Sequence, residues 1–314
     1  MLYLGRMTPT DLEKSIVRTI CHFDVLDYPL TLLEMANFLE VKITTIELMQ
    51  ALSHEPLASL ISNSQGWYFL RGRQEIIKKR KNRYRLYLKK MKRAKNFARI
   101  FSIFPWIRAV AIYGSLALKN SSIPGDIDLF IITSANRAWS ARFFINAFLK
   151  IFNLRPTTQT TQDKICISYL ADENNLDLSA VNLTNDYYYY YYGAGSFTFL
   201  MDTSDLRQKF CSANNWLGAF LPNNHPRELA DMHQPKPVIL KIQRILEKTC
   251  GAMTEATYRN WQEKILPQRY WQAKDGKKVI LSSGLIKLHD NDKREKFNAL
   301  FEENFQRALG NYEN

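Results

Sequence analysis

Residues 106–133 carry the pattern that most restricts what this chain can fold into. The stretch WIRAVAIY, residues 106–113, is β-branched and apolar enough for a buried strand and ends at Gly114-Ser115. LALKNS supplies a short helical turn, SSIPG breaks it, and DIDLFIIT from residue 126 reads as a second strand. Residues i and i+2 of a strand face the same side, so Asp126 and Asp128 project together. Two such carboxylates repel, and burying them unpaired costs several kcal/mol or raises a pKa. A divalent cation removes that penalty. Mg²⁺ is a hard ion typically held by one or two carboxylates plus substrate phosphates. Upstream, Gly114 lets backbone amides approach a phosphate, and Ser115 adds a hydroxyl donor where the helical turn begins. A turn after Pro-Gly would account for Asp126 alone; it does not account for Asp128, which lies inside the strand beside Leu129.

Ile112-Tyr113-Gly114-Ser115, ten further residues, then Asp126-Ile127-Asp128-Leu129 and an apolar strand resembles the signature of the nucleotidyltransferase superfamily related to DNA polymerase beta. The resemblance implies an α+β nucleotidyltransferase fold, a mixed sheet with flanking helices, over residues 104–180. It also implies Mg²⁺-dependent transfer of a nucleoside monophosphate from an NTP to an acceptor hydroxyl, with pyrophosphate leaving; the acceptor is RNA, a protein or a small molecule. Carried over by position, Gly114 and Ser115 hold the triphosphate, and Asp126 and Asp128 bind the metal and are catalytic. Many small members carry Arg-Gly just after Gly-Ser, where this chain has Leu118-Lys119, so Lys119 either reaches a phosphate or is solvated. Active members have a third carboxylate on a later strand. In DKICISYLA no acid is central; Asp163, sharing a face with Ile165 and Ile167, is the candidate, and Asp172 and Glu173 are the alternatives. Without a working third carboxylate the same fold would serve a catalytically inactive nucleic-acid-binding or regulatory protein.

Residues 1–72 resemble a winged helix-turn-helix in pattern. Leu12, Ile16, Ile20 and Phe23 recur at helical spacing, Thr31 opens a second helix, and Thr44 or Thr45 caps a third. Two apolar runs around Asn63-Ser64-Gln65-Gly66 then signal a hairpin. The third helix has no arginine, whereas a helix that reads the major groove usually carries several donors, so packing or protein docking ranks above DNA reading.

The net charge is +13, and it is concentrated: from Arg73 to Arg99 thirteen Lys or Arg residues face one acid, Glu75. Residues 73–103 lack Gly and Pro and read as one long helix with Ile77, Tyr84, Leu88, Met91 and Ala98 on its apolar face. Solvated helices usually mix signs for i,i+4 pairing. A nucleic acid bound through Lys78, Lys79, Arg80, Lys81 and Arg83 is therefore expected, against a solvated connector.

Past residue 180 the chain is expected to be mainly helical, and six tyrosines, Tyr187 to Tyr192, suggest rings buried between elements rather than a base-stacking platform. At 46% hydrophobic the chain can bury a core. It lacks both a secretory-type leader and a membrane-length apolar run, which implies a soluble, cytoplasmic protein without a membrane partner. The four cysteines show no CxxC spacing and read as buried thiols, with neither a zinc site nor a disulfide framework. The sequence leaves the oligomeric state open.

Overall fold

The computed structural model describes residues 10–157, 159–183, 185–224, 229, 231–274, 277–289 and 292–312; the first nine residues of the expected N-terminal module lie outside them. It opens with α1 (Asp11–Val25), α2 (Leu32–Asn37), α3 (Thr45–Ser53) and the short α4 (Leu57–Leu60), followed by the hairpin β1 (Ile61–Ser64) and β2 (Trp67–Leu70). α1, α2 and α3 start on the same device. Thr10, Thr31 and Thr44 accept the amides of Glu13, Glu34 and Glu47, whose carboxylates accept the cap amides in return. Each box satisfies two donors that a helix start leaves unpaired. This module does not close its own core: Ile16, Ile20, Phe23 and Phe38 pack in one cluster with Tyr191, Phe301 and Phe305 from far along the chain.

α5 (Ile76–Phe101) is the long basic helix. Ile77, Met91 and Ala98 are buried as the sequence predicts, but Tyr84 and Leu88 are 42% and 53% exposed. The helix start packs on Phe69 and Trp67 of the hairpin, and its last three turns pack on the central sheet. Tyr84 and Leu88 lie in the stretch between those two anchorages.

The chain continues through β3 (Ile107–Ile112), α6 (Gly114–Ala117), β4 (Ile127–Thr133), α7 (Ala138–Ile151) and β5 (Ile165–Asp172). A π-helical turn over Tyr189–Gly193 leads to β6 (Thr198–Asp202) and α8 (Leu206–Ala213). α9 (Pro237–Cys250), α10 (Glu255–Ile265), α11 (Gln268–Gln272), β7 (Val279–Leu281), β8 (Leu285–Leu288) and α12 (Arg294–Tyr312) follow. Six strands form one mixed sheet in the order β6-β3-β4-β5-β8-β7, with β4 and β5 parallel and the other pairs antiparallel. The molecule is thus α+β, a mixed sheet flanked by helices. The sheet also draws β6, β7 and β8 from beyond residue 180, so the expected domain boundary there cuts across it. β6 was not legible because all five of its residues are buried, which erases the period-2 alternation of a half-exposed strand.

The tyrosines act as mortar. Tyr191 joins the core of the N-terminal module, Tyr189 joins the core on one face of the sheet, and Tyr190 stacks on Phe220 with ring centroids 4.4 Å apart. Tyr189, Tyr190 and Tyr191 are buried, which suits them to packing rather than to stacking on bases. Among the described residues, no helix is long and apolar enough to cross a membrane.

Candidate functional site

The site forms where β4 begins. Pro124-Gly125 turns the chain into the sheet, and the Gly125 carbonyl accepts the ammonium of Lys90, which arrives from α5. Asp126 stands just before the strand, and Asp128 lies within it between the fully buried Ile127 and Leu129. β4 and β5 run parallel with Asp128 opposite Cys166. One carboxylate oxygen each from Asp126 and Asp128 and the Cys166 sulfur all lie within 4.8 Å of one another. The two aspartates come together as the strand alternation predicts, and their third neighbour is a thiol.

Asp163 is elsewhere. Its φ of +57° places a turn just ahead of β5, so the strand's alternation does not extend back through it. Its carboxylate lies 3.4 Å from Lys90 Nζ, in a shallow groove lined by Lys89, Lys92 and Arg93. Asp172 and Glu173 sit at the far end of β5, where they accept the backbone amides of Asn136 (2.8 Å) and Ala135 (3.0 Å) and so fix the turn between β4 and α7. Cys166 is half-buried, as are Cys211 and Cys250; only Cys21 fits the expectation of a buried thiol. Cys166 was passed over because its spacing to the other cysteines carries no metal-site pattern; its register beside Asp128 brings it to the cluster.

Both carboxyls of the pair are pushed above the ordinary carboxylate range, first by burial. For Asp128 the neighbouring charge of Asp126 adds to this, while the Cys166 thiol and the Lys90 ammonium offset part of the rise for both. A pair raised in this way takes up a proton more readily than isolated carboxylates do, and a bound cation would oppose that uptake.

Gly114 has φ +65°, and a Cβ there would meet the Tyr192 ring at 2.9 Å, so both backbone and space require glycine. Its amide donates to Ser196 Oγ at 2.9 Å. Burial pushes the Tyr192 phenol up to about 12, and hydrogen bonding to Ser115 and Tyr188 offsets part of that rise. The Gly-Ser turn is thereby roofed by the tyrosine segment, with Tyr192 stacked on Tyr188 and Tyr188 on Phe297. Lys119 follows α6 with φ +58° and is not among the residues that line the cleft at the aspartates.

That cleft, about 460 Å³, opens beside the aspartate pair and is walled by Arg142, Asn146, Arg155, Arg269 and His289. Each of these arginines is isolated in sequence, and no local spacing signals that they converge.

The basic residues named on α5 divide. Lys78 and Lys81 are exposed, Lys81 within 3.2 Å of Gln65. Lys79 pairs with Asp27 at 3.0 Å, and Arg83 donates to the Leu26 carbonyl at 2.7 Å. Arg80 is buried, 2.7 Å from Glu34 and over the Tyr28 ring with its guanidinium carbon 3.4 Å from the centroid. Arg80 therefore does not face solvent, where phosphates would meet it, because the acid and rings of the N-terminal module enclose it.

Compared with protein-family models, with curated proteins and with solved structures, the chain matches none.

Proposed function

We propose that this protein is a Mg²⁺-dependent nucleotidyltransferase, passing a nucleoside monophosphate from an NTP to an acceptor hydroxyl. The observation that supports this is the convergence of Asp126 and Asp128 within 4.8 Å in an open cleft, on the strand that pairs with the one ending at the Gly-Ser turn, although Gly114 and Ser115 do not line the cleft. The donor set suits Mg²⁺ through its oxygens: two carboxylates plus the nucleotide's own phosphates form an ordinary shell for a hard ion, whereas a thiol is a soft ligand. When bound, the ion would neutralise phosphate charge and polarise the phosphorus under attack.

The chain's own residues have the following roles in this reading. Asp126 and Asp128 hold the ion, Gly114 and Ser115 orient the phosphates, and Tyr192 must release Ser115 for them to do so. Asp163 lies outside the cluster and outside the cleft lining, beside Lys90, and takes no part in this reading. The N-terminal helices and hairpin form a winged-helix-like module. α3 exposes Ile46 and Met49, side chains suited to a protein surface rather than to base edges. Lys78 and Lys81, with Lys89 and Lys92 further along α5, offer a path for a nucleic-acid acceptor. The protein is expected to work in the cytoplasm.

Cys166 favours a second reading. A thiol, rather than a third carboxylate, completes the described cluster with the aspartate pair, which suits a nucleotide-binding regulator that retains the fold without turnover. Incubation with each of the four α-labelled NTPs, Mg²⁺ and cellular RNA or protein separates the two. Label transfer that disappears in the double variant Asp126→Ala, Asp128→Ala supports catalysis. Mg²⁺-dependent NTP binding with no transfer to any acceptor supports the regulator.

A further inference from the structure

Arg142 on α7, Arg155 in the loop beyond it and Arg269 on α11 meet in the wall of the cleft that holds the aspartate pair. Arg142 is only 4% exposed. Its Nη1 donates to Gln262 Oε1 at 2.7 Å, and Gln262 is itself fixed by donating to the Trp139 carbonyl at 2.7 Å. Its Nε is buried with no hydrogen-bond partner. The side chain is therefore held in place with a donor left over, and an unpaired buried donor is unfavourable.

Charge leads to the same place. Burial, and after it the positive charge of Arg155, lower the Arg142 pKa to about 10, with Tyr270 and Cys166 opposing part of the shift. The charges acting on Asp128 are those of Asp126 and Lys90. Clustered guanidiniums with a spare buried donor are what a tetrahedral oxyanion satisfies, since each fork matches two oxygens of a phosphate.

Strand order separates this wall from the Gly-Ser turn. Gly114-Ser115 follows β3, the aspartates belong to β4, and Cys166 and the arginine wall lie on the β5 and β8 side. The aspartates thus stand between two phosphate-seeking surfaces. We infer that the cleft contains a second phosphate subsite, formed by Arg142, Arg155 and Arg269, which receives a phosphate monoester carried by the acceptor. Its assignment to the acceptor rests on the function proposed above; the subsite itself rests on the arginines alone.

Inorganic phosphate is the probe, titrated calorimetrically into the full chain without nucleotide or metal. Binding of one phosphate is expected, weakened at least about tenfold in the double variant Arg155→Gln, Arg269→Gln and unchanged in Lys78→Gln, Lys81→Gln. Circular dichroism verifies that each variant is folded, and Arg155, being exposed, can be replaced alone if the double variant is not. No phosphate binding, or equal affinity in the arginine variants, overturns the subsite. Mg²⁺-ATP that binds without displacing phosphate supports the acceptor assignment, and one-for-one displacement overturns it. Phosphate binding that persists while ATP fails to bind counts against nucleotidyl transfer and leaves the subsite standing. Ribose 5-phosphate and a 5′-phosphorylated RNA decamer, the latter set against its 5′-hydroxyl twin, then distinguish a small acceptor from an RNA end.

Discussion

The basic helix and the arginine wall of the cleft both concentrate positive charge, and they handle it in opposite ways. On α5, thirteen cations between Arg73 and Arg99 make the loudest signal in the sequence. Yet Arg73 pairs with Asp24 and Asp27, Lys79 with Asp27 and Arg80 with Glu34, all acids of the N-terminal module. Much of that charge fastens one part of the molecule to another. In the cleft, three arginines far apart in sequence converge, and the buried Arg142 keeps a donor unsatisfied. The density of like charge along a sequence therefore says less about ligand binding than where the fold takes each cation.

The largest test of that contrast is Arg80→Met. It strands Glu34 beside an apolar side chain, and breaking a buried pair costs about 3–5 kcal/mol, read as a lowered midpoint of urea unfolding. A loss comparable to that of an exposed lysine would erase the distinction between fastening and binding cations.

His22 is a third case, a base buried among rings with neither nitrogen partnered. Burial lowers its pKa to about 3, whereas an unfolded imidazole titrates near 6.5. The unfolded chain binds the proton more tightly, so this contribution to stability is fully present above about pH 6.5 and falls by about 1.4 kcal/mol per unit as pH drops towards 3. At pH 5 that amounts to about 2 kcal/mol relative to neutral pH. His22→Leu removes this slope from unfolding curves measured at pH 7 and pH 5; an unchanged slope would show that His22 is protonated in the fold.

Asp128→Asn removes like-charge repulsion and is expected to stabilise the metal-free protein by about 1 kcal/mol. Under the proposed function excess Mg²⁺ should raise the melting temperature of the parent, and the same change should abolish that rise. A variant that melts lower without metal would mean that the pair is not strained.

The smallest stability effect, within about 0.5 kcal/mol, belongs to Lys78→Gln with Lys81→Gln. There the readout is RNA affinity: the slope of log affinity against log salt should flatten by about 1 for each lysine that meets a phosphate. Unchanged slopes would leave α5 as a connector.

How much of the site was legible follows from these residues. Asp126 and Asp128 were, because alternation along a single strand fixes their shared face. Cys166 was not, because its place depends on the register between two parallel strands, which no local pattern encodes. Asp163 drew attention by counting in twos from Ile165, and the left-handed turn at Asp163 breaks that count. The arginine wall needs α7, the following loop and α11 to be folded together before it exists. In the fold, the three helices and the hairpin were marked by their caps and turn residues. The mixed sheet was only partly visible, since β6 is buried along its whole length and shows no alternation.

The packing of α1 against α12 has a consequence for how the molecule is made. Phe301 and Phe305 complete the core around Ile16, Ile20 and Phe23, so the helices of this module wait for α12 to be made before their apolar faces are covered. Until then those faces stay open to chaperones and to one another. Synthesis of α12, rather than that of the module's own helices and hairpin, is the moment at which the core around α1 can close.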